Sequence, residues 1–193
     1  MKLGKTFYAK DRKAGRKWLE KNHAKAKEIW LIYYKQHMGK PRVPYAEAVE
    51  EALCFGWIDS TVKSINKDSF AQRFSPRKSK SAWSQPNIER MKRLKKQGLM
   101  APAGLAAFQQ GSPTSPRLRG VSELKITPDI LKALKADKEV WKNFQKFPGS
   151  YKRVRIAYIE SQRRHGREAF QRSLRNFIKK TKANKKFAFG GVQ

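Results

Sequence analysis

The excess of positive charge constrains the fold of this chain more than any other feature. Its 193 residues include 45 lysines and arginines against 15 aspartates and glutamates, a formal net charge of +30 at pH 7. A folded chain must keep nearly all of these cations at its surface, because an unpaired charge is costly to bury. The chain also contains 39% hydrophobic and 11% aromatic residues, enough to form a core. We therefore expect a globular protein with a strongly basic surface.

The positive charge has two maxima along the chain. Residues 61–100 contain 11 basic and 2 acidic side chains, and residues 151–193 contain 13 and 2. Both segments also have apolar residues at structural spacing, so folded elements must display much of the charge. A surface of this kind favours polyanions: nucleic acid, an anionic membrane surface or an acidic protein. A basic surface without a binding role, shared by other proteins of the same organism, is the alternative interpretation.

Several protein classes are not expected from this sequence. No stretch approaches the roughly 20 apolar residues of a membrane span, and residues 1–6 are not followed by the apolar segment of a signal peptide. We therefore expect a cytoplasmic protein without a transmembrane segment. The single cysteine, Cys54, excludes an internal disulfide, and its position near the end of a predicted helix indicates an inert buried thiol. His23, His37 and His165 lack the spacing of metal ligands, so we expect no metal and no cofactor.

Helix and strand signals alternate in the N-terminal half. Good helix formers over residues 16–27 predict a short surface helix anchored by Trp18 and Leu19. Residues 29–34 are consecutive β-branched, aromatic or leucine residues, which suit a buried strand, although a buried helix has the same pattern. Residues 44–55 combine an initial proline with strong helix formers and predict a second helix.

A hairpin and two further helices complete this half in our prediction. Residues 57–65 and 69–74 have strand character on either side of the turn-like segment 66–68, which indicates a β-hairpin. Ser84 can cap a helix that continues to about residue 98, and a short helix covers residues 102–110.

The C-terminal half carries only helix signals. Thr127, Pro128 and Asp129 are a cap, a first-turn proline and a first-turn acid in succession, so they predict the start of helices that extend to residue 147. Ser150 can cap the next helix, and the apolar stripe that includes Phe170 predicts the last one.

These signals predict an α+β, mainly helical fold, with a small antiparallel sheet and helices in the N-terminal part and a bundle-like helical C-terminal part. The expected divisions are a flexible basic N-terminus (1–15), an α+β domain (16–110), a linker or exposed loop (111–126), a helical domain (127–182) and a flexible basic tail (183–193).

Several ordered sequence blocks carry a family resemblance. They are Trp-Leu-Glu-Lys-Asn-His at 18–23, Tyr-Ala-Glu-Ala-Val-Glu-Glu-Ala-Leu-Cys-Phe-Gly-Trp-Ile-Asp-Ser at 45–60, Arg-Phe-Ser-Pro-Arg-Lys at 73–78, Ser-Ala-Trp-Ser-Gln-Pro-Asn at 81–87 and Pro-Ala-Gly-Leu at 102–105. Together they resemble the YdeI/OmpD-associated family, labelled bacteriocin-protection, strongly over residues 16–108 and more loosely in the C-terminal helices. Where the family usually has a Lys-Arg-Pro-Glu-Thr-Arg-like turn, residues 163–168 read Arg-Arg-His-Gly-Arg-Glu.

The resemblance implies a bacterial protein linked by the family name to tolerance of antimicrobial or envelope stress. It transfers no catalytic residue, and its expected fold agrees with the prediction above. The sequence itself contains no nucleophile elbow, Walker loop or dinucleotide-binding glycine motif. For the three glutamates of the 44–55 helix, Glu47, Glu50 and Glu51, we predict helix stabilisation and surface pairing with lysines.

The first candidate site lies around the hairpin and the basic loop that follows it. Its residues are Asp59, Arg73, Arg77, Lys78, Trp83, Ser84 and Asn87. Arginine forks and amide or hydroxyl groups suit phosphate or carboxylate oxygens, and a tryptophan offers a stacking surface. In the structural alternative, Asp59 pairs with an arginine to hold the hairpin, Ser84 caps a helix and Trp83 fills the space between sheet and helix.

The second candidate site is a basic cluster on the C-terminal helices. Its residues are Lys152, Arg153, Arg155, Arg163, Arg164, Arg167, Arg172 and Arg175. Basic faces of amphipathic helices contact phosphate backbones or anionic lipids. We favour phosphate, because no apolar face remains for a membrane once the core stripe is assigned; a solvated surface is the alternative.

The sequence thus predicts a non-catalytic protein that binds polyanions, first among them DNA or RNA with low sequence specificity. Two alternatives stay open. One is an enzyme or receptor that uses the Asp59–Asn87 region on a phosphorylated or carboxylated small molecule, and the other is an interaction protein for an acidic partner.

Overall fold

The computed structural model describes residues 3–79, 81–111 and 124–187. The chain forms two compact units. Unit 1 comprises Met1–Trp83 and Arg90–Arg119, and unit 2 comprises Ser84–Glu89 and Gly120–Gln193. The predicted α+β, mainly helical fold is confirmed, with the sheet in unit 1 and helices in both.

Unit 1 is built on a four-stranded sheet. The strands are β1 (Thr6–Phe7), β2 (Ile29–Tyr34), β3 (Trp57–Ser64) and β4 (Ser69–Pro76), in the order β1-β2-β4-β3. As predicted, β3 and β4 form an antiparallel hairpin, and β2 pairs antiparallel with β4. The predicted sheet is wrong in one respect: β1 adds a parallel strand beside β2, so the sheet is mixed. Its two residues are too few for a recognisable strand pattern.

Three α-helices lie wholly within the described part of unit 1, and a fourth has residues in both units. They are α1 (Arg12–Asn22), α2 (Tyr45–Cys54) and α4 (Pro102–Gln109), while α3 (Gln85–Lys96) has residues in both units. Asp11 caps α1, because its carboxylate accepts a 2.7 Å hydrogen bond from the amide of Ala14. Strand β1 and the start of α1 therefore lie within residues 1–15, for which the sequence predicts flexibility.

A close approach of two helices is made by Gly104 in α4. A Cβ atom on this glycine would lie 2.2 Å from the carbonyl oxygen of Cys54, at the end of α2. The same oxygen accepts a 3.0 Å hydrogen bond from the amide of Ala101, just before α4 begins. Gly56 follows α2 with a φ of +74°, a left-handed conformation that favours glycine.

The described part of unit 2 folds around helices α5 (Pro128–Lys135), α6 (Lys138–Lys146), α7 (Gly149–Ser161) and α8 (Arg167–Lys182). Its core is aromatic and aliphatic and includes Ile130, Phe144, Ile159 and Phe177. The apolar stripe predicted from Phe170 faces this core. Ser150 is not a cap, because α7 already begins at Gly149.

Most of the predicted linker and of the predicted tail lies outside the described residues. Residues 112–123 of the predicted linker, residues 188–193 of the predicted tail, residues 1–2 and residue 80 lie outside the described residues. The domain limits drawn from the sequence therefore stay predictions.

Two glycine-to-alanine replacements make a matched test of the α2–α4 contact. Gly104→Ala forces the helix away from the Cys54 carbonyl, so we expect it to destabilise the protein by about 1–3 kcal/mol. Gly15→Ala, inside α1, meets only the Cβ of Ala9 at 3.9 Å and is expected to stabilise by about 0.5–1 kcal/mol. Urea unfolding followed by circular dichroism measures both changes; equal changes of the same sign would contradict the assigned contact.

Candidate functional site

Two glutamates of α2 are buried, contrary to the prediction that they pair with lysines at the surface. Glu50 and Glu51 are each 3% exposed. Arg12 contacts both carboxylates, at 3.2 and 2.6 Å, and Arg16 contacts Glu51 at 2.9 Å. Arg93 donates a hydrogen bond to Glu50. Local sequence patterns do not predict this network, because the arginines that pair with the two glutamates lie on α1 and α3, far from α2 along the chain.

The structure brings together only part of the first predicted site. Asp59 lies on β3 and accepts a 2.5 Å hydrogen bond from the hydroxyl of Tyr45. Burial lowers the pKa of Arg77, and the charge of Asp59 counteracts this effect, so the two side chains are within electrostatic range. Tyr45, which the sequence analysis did not select, is therefore a direct partner of Asp59.

Arg77 and Trp83 form a stacked pair. The guanidinium carbon of Arg77 lies 4.0 Å from the ring centroid of Trp83. Trp83 is 1% exposed and also packs edge-on against Phe108. This buried tryptophan matches the structural alternative for that residue, since its ring offers no free stacking surface.

The remaining members of the first site are dispersed. Arg73 directs its guanidinium to Glu28, with contacts of 2.7 and 2.6 Å, and not to Asp59. Lys78 is exposed on the loop after β4. Ser84 is exposed and Asn87 is buried, and both fall in unit 2.

A cleft in unit 1 contains groups that are not among the sequence-predicted site residues. We call it the Tyr33 cleft; it has a volume of about 540 Å³, and its lining includes Tyr33, Arg42, Tyr45, Val62, Phe70 and Gln72. Strand register could have indicated it, because Tyr33 pairs with Phe70 and Gln72 pairs with Val62 on one sheet face. The loop residue Arg42 gave no such signal.

Two residues of the second predicted site are held inside unit 2. Arg153 forms two hydrogen bonds to the carboxylate of Glu89, at 2.7 and 2.8 Å. Arg155 is 5% exposed, and its guanidinium lies 3.9 Å from the ring centroid of Phe187. These two arginines are occupied by internal contacts.

Arg163 is exposed but paired. It contacts Asp129 and Glu160, each at 2.8 Å, and its guanidinium lies 3.8 Å above the ring of Phe170. The hydrogen bonds from Arg163 and Thr127 lower the pKa of Asp129 to about 2. This ion-pair cluster joins the start of α5 to the end of α7.

The other members of the second site lie at the surface. Arg164, Arg167, Arg172 and Arg175 are exposed, and Lys152 is half-buried with its ammonium donating to the carbonyl of Gln145. On α8, the i, i+3, i+7 spacing places Arg172, Arg175 and Lys179 along one line. We call these three side chains the α8 basic face. None of them has an ion pair within the described residues.

The described residues contain no other evident chemical centre. No group of three or more histidine, cysteine, aspartate or glutamate side chains among them is placed to hold a metal ion. Cys54 is buried as predicted, and burial, together with the charge of Glu51, raises the pKa of its thiol to about 11. Within the same residues, no helix is long and apolar enough to cross a membrane.

Two family models match separate parts of the chain. Residues 7–107, just over half of the chain, match the model described as Domain of unknown function (DUF8412). Residues 123–184 match the model described as Bacteriocin-protection, YdeI or OmpD-Associated (OmdA). The predicted resemblance to the YdeI/OmpD-associated family is thus confirmed for residues 123–184 only, whereas the resemblance seen in the sequence was strongest over residues 16–108. No curated protein and no solved structure matches the chain.

Replacement of Glu51 tests the buried network. Glu51→Gln removes the carboxylate shared by Arg12 and Arg16. Because both guanidinium groups retain contact with water, we expect a loss of about 2 kcal/mol, below that of a fully buried pair. Glu47→Gln, one turn earlier on α2, is the control and should change stability by less than about 0.5 kcal/mol. Chemical unfolding measures both, and similar losses in the two variants would contradict the network.

The Asp129 cluster predicts an acid dependence. Because its pKa is lowered in the folded protein, Asp129 stabilises the fold above about pH 4, and this contribution is lost between about pH 4 and pH 2. The pair is largely exposed, so the contribution is at most about 1 kcal/mol. We expect the melting temperatures of the wild type and Asp129→Asn to differ at pH 6 and to converge at pH 2. A constant difference across this range would contradict the assignment.

Proposed function

The chain belongs to the family described as Domain of unknown function (DUF8412), and we propose that it is a non-catalytic protein that binds polyanions, with nucleic acid phosphates as its ligand. The observation that carries the proposal is the α8 basic face of the OmdA region. Arg172, Arg175 and Lys179 lie there in a line of exposed cations. The cytoplasmic location and low sequence specificity predicted above form part of the proposal.

The helix itself orients this face. Phe170, Leu174 and Phe177 of α8 are buried in the core of unit 2. With 3.6 residues per turn, the opposite side of α8 carries Arg172 and Arg175. The apolar stripe therefore fixes the cations outward on a rigid element, and binding does not require the helix to fold first.

Four carboxylates of unit 2 are engaged by cations outside this face. In unit 2, Asp129 and Glu160 are engaged by Arg163, Glu89 by Arg153, and Asp137 by Lys182 at 2.8 Å. Acidic side chains engaged in this way do not neutralise the α8 basic face. Neighbouring cations on one side of a helix are separated by about 5–6 Å, so several phosphates of one strand can be contacted together.

The exposed side chains of α8 favour a phosphate ligand over a lipid surface. A helix that lies on a membrane needs an apolar face directed at the lipid. On α8, however, the large apolar residues Phe170, Leu174 and Phe177 are 4%, 6% and 0% exposed. Charge alone supplies binding that is independent of sequence and depends strongly on salt.

The proposal is tested with the triple variant Arg172→Gln/Arg175→Gln/Lys179→Gln. Binding of the wild type to duplex DNA and to single-stranded RNA should weaken steeply as salt increases, by fluorescence anisotropy. We expect the triple variant to bind at least about tenfold more weakly at 100 mM salt. Its log–log salt slope should be smaller in magnitude by about 2–3, because about three phosphate contacts are lost.

The matched control carries the same change of charge in unit 1. Lys13→Gln/Lys17→Gln/Lys21→Gln removes three exposed cations from one side of α1. If both triple variants lose equal affinity, net charge and not the α8 basic face governs binding. Absence of binding to either polymer at low salt would also overturn the proposal. A protein that co-purifies after nuclease treatment would instead favour the acidic-partner alternative.

A further inference from the structure

The Tyr33 cleft contains a buried polar group without a partner. Tyr33 is 1% exposed, and its hydroxyl has no hydrogen-bond partner among the described residues. Tyr33 lines the cleft together with Arg42 and Tyr45. An unsatisfied buried hydroxyl is costly, because it has lost its hydrogen bonds to water. A ligand acceptor at this position would remove that cost.

A cation lies over the ring of the same tyrosine. The guanidinium carbon of Arg42 lies 5.6 Å from the ring centroid of Tyr33. Arg42 is exposed and has no ion pair within the described residues. Its loop is anchored on both sides, because Tyr8 donates a hydrogen bond to the carbonyl of Pro41 and the amide of Val43 donates one to Ala9 at 3.0 Å. The cation is therefore carried by a segment of defined position.

The walls of the cleft are flat and apolar. The rings of Tyr33 and Phe70 stack with centroids 5.2 Å apart and an angle of 10° between their planes. Val62 and Tyr45, which also line the cleft, are 57% and 50% exposed. Apolar side chains this exposed in a concave site gain free energy when a ligand covers them.

The negative charge of Asp59 does not prevent an anion from binding in the cleft. Its carboxylate accepts the hydroxyl hydrogen of Tyr45, and its charge interacts with Arg77 and Arg90. Gln72 donates its amide to the carbonyl of Ser60 at 3.2 Å, so its side chain is oriented within the lining. The acid is thus compensated by neighbouring groups, whereas Arg42 is available to a ligand.

We propose that the Tyr33 cleft binds a small aromatic oxyanion, with the carboxylate or phosphate at Arg42 and the Tyr33 hydroxyl and the flat ring against Phe70 and Val62. The arginine fork matches both oxyanions, and the cleft has the volume typical of a small-molecule site. This site is independent of the α8 basic face, because its residues all belong to unit 1.

The test uses the full-length protein and three probes of similar shape. Benzoate and phenyl phosphate carry the oxyanion, whereas benzamide is its neutral counterpart. By isothermal titration calorimetry, we expect saturable binding of at least one oxyanion and at least about tenfold weaker binding of benzamide. The preferred oxyanion distinguishes a carboxylate ligand from a phosphate ester. The proposal is overturned if neither oxyanion saturates the protein below about 10 mM.

Three variants locate the binding. Arg42→Gln should weaken the oxyanion by at least about tenfold, while Lys40→Gln, an exposed cation of the same loop, should change it by less than about twofold. Tyr33→Phe removes the unsatisfied hydroxyl, so its melting temperature without ligand should equal or exceed that of the wild type, and its affinity should fall by about fivefold or more. Equal effects at positions 40 and 42, or unchanged affinity in Tyr33→Phe, would overturn the site.

Discussion

The buried pair of carboxylates on α2 is the interaction on which unit 1 depends. Glu50 and Glu51 connect α2 to arginines of α1 and α3, three elements that are distant in the chain. A buried carboxylate is tolerated only when it is paired and hydrogen-bonded. The arginines therefore fix how these helices lie around α2. The position of α2 in turn determines where Tyr45 meets Asp59 and where the cleft opens.

The same pairing explains how a chain with a net charge of +30 presents a defined basic surface. Carboxylates of unit 2 engage Arg153, Arg163 and Lys182 in contacts within the unit. These contacts use some of the cations for structure. The outward side of α8 keeps its arginines directed at solvent, because the opposite side supplies the core. The paired cations thus stabilise the fold, whereas the exposed cations of the α8 basic face are the ones proposed to bind phosphate.

The candidate sites show how far sequence patterns extend to function. The apolar stripe of α8 predicted both the buried face and the side on which Arg172 and Arg175 lie. The hairpin was also predicted, but the partners of its charged residues were not, since Arg73 turns to Glu28 and Asp59 to Tyr45. Short-range periodicity specifies which face a side chain occupies. It does not specify which distant group meets it there.

The sequence by itself determined the mainly helical α+β class, the helix and strand segments and the positive sign of the surface charge. These properties follow from local propensity, from the period of the apolar residues and from composition. Only the tertiary structure decided that Glu50 and Glu51 are buried, that Arg155 lies among aromatic rings, and that Tyr33 and Arg42 share a cleft. These outcomes depend on contacts between residues far apart in the chain, where pairing and desolvation, and not local pattern, set the free energy.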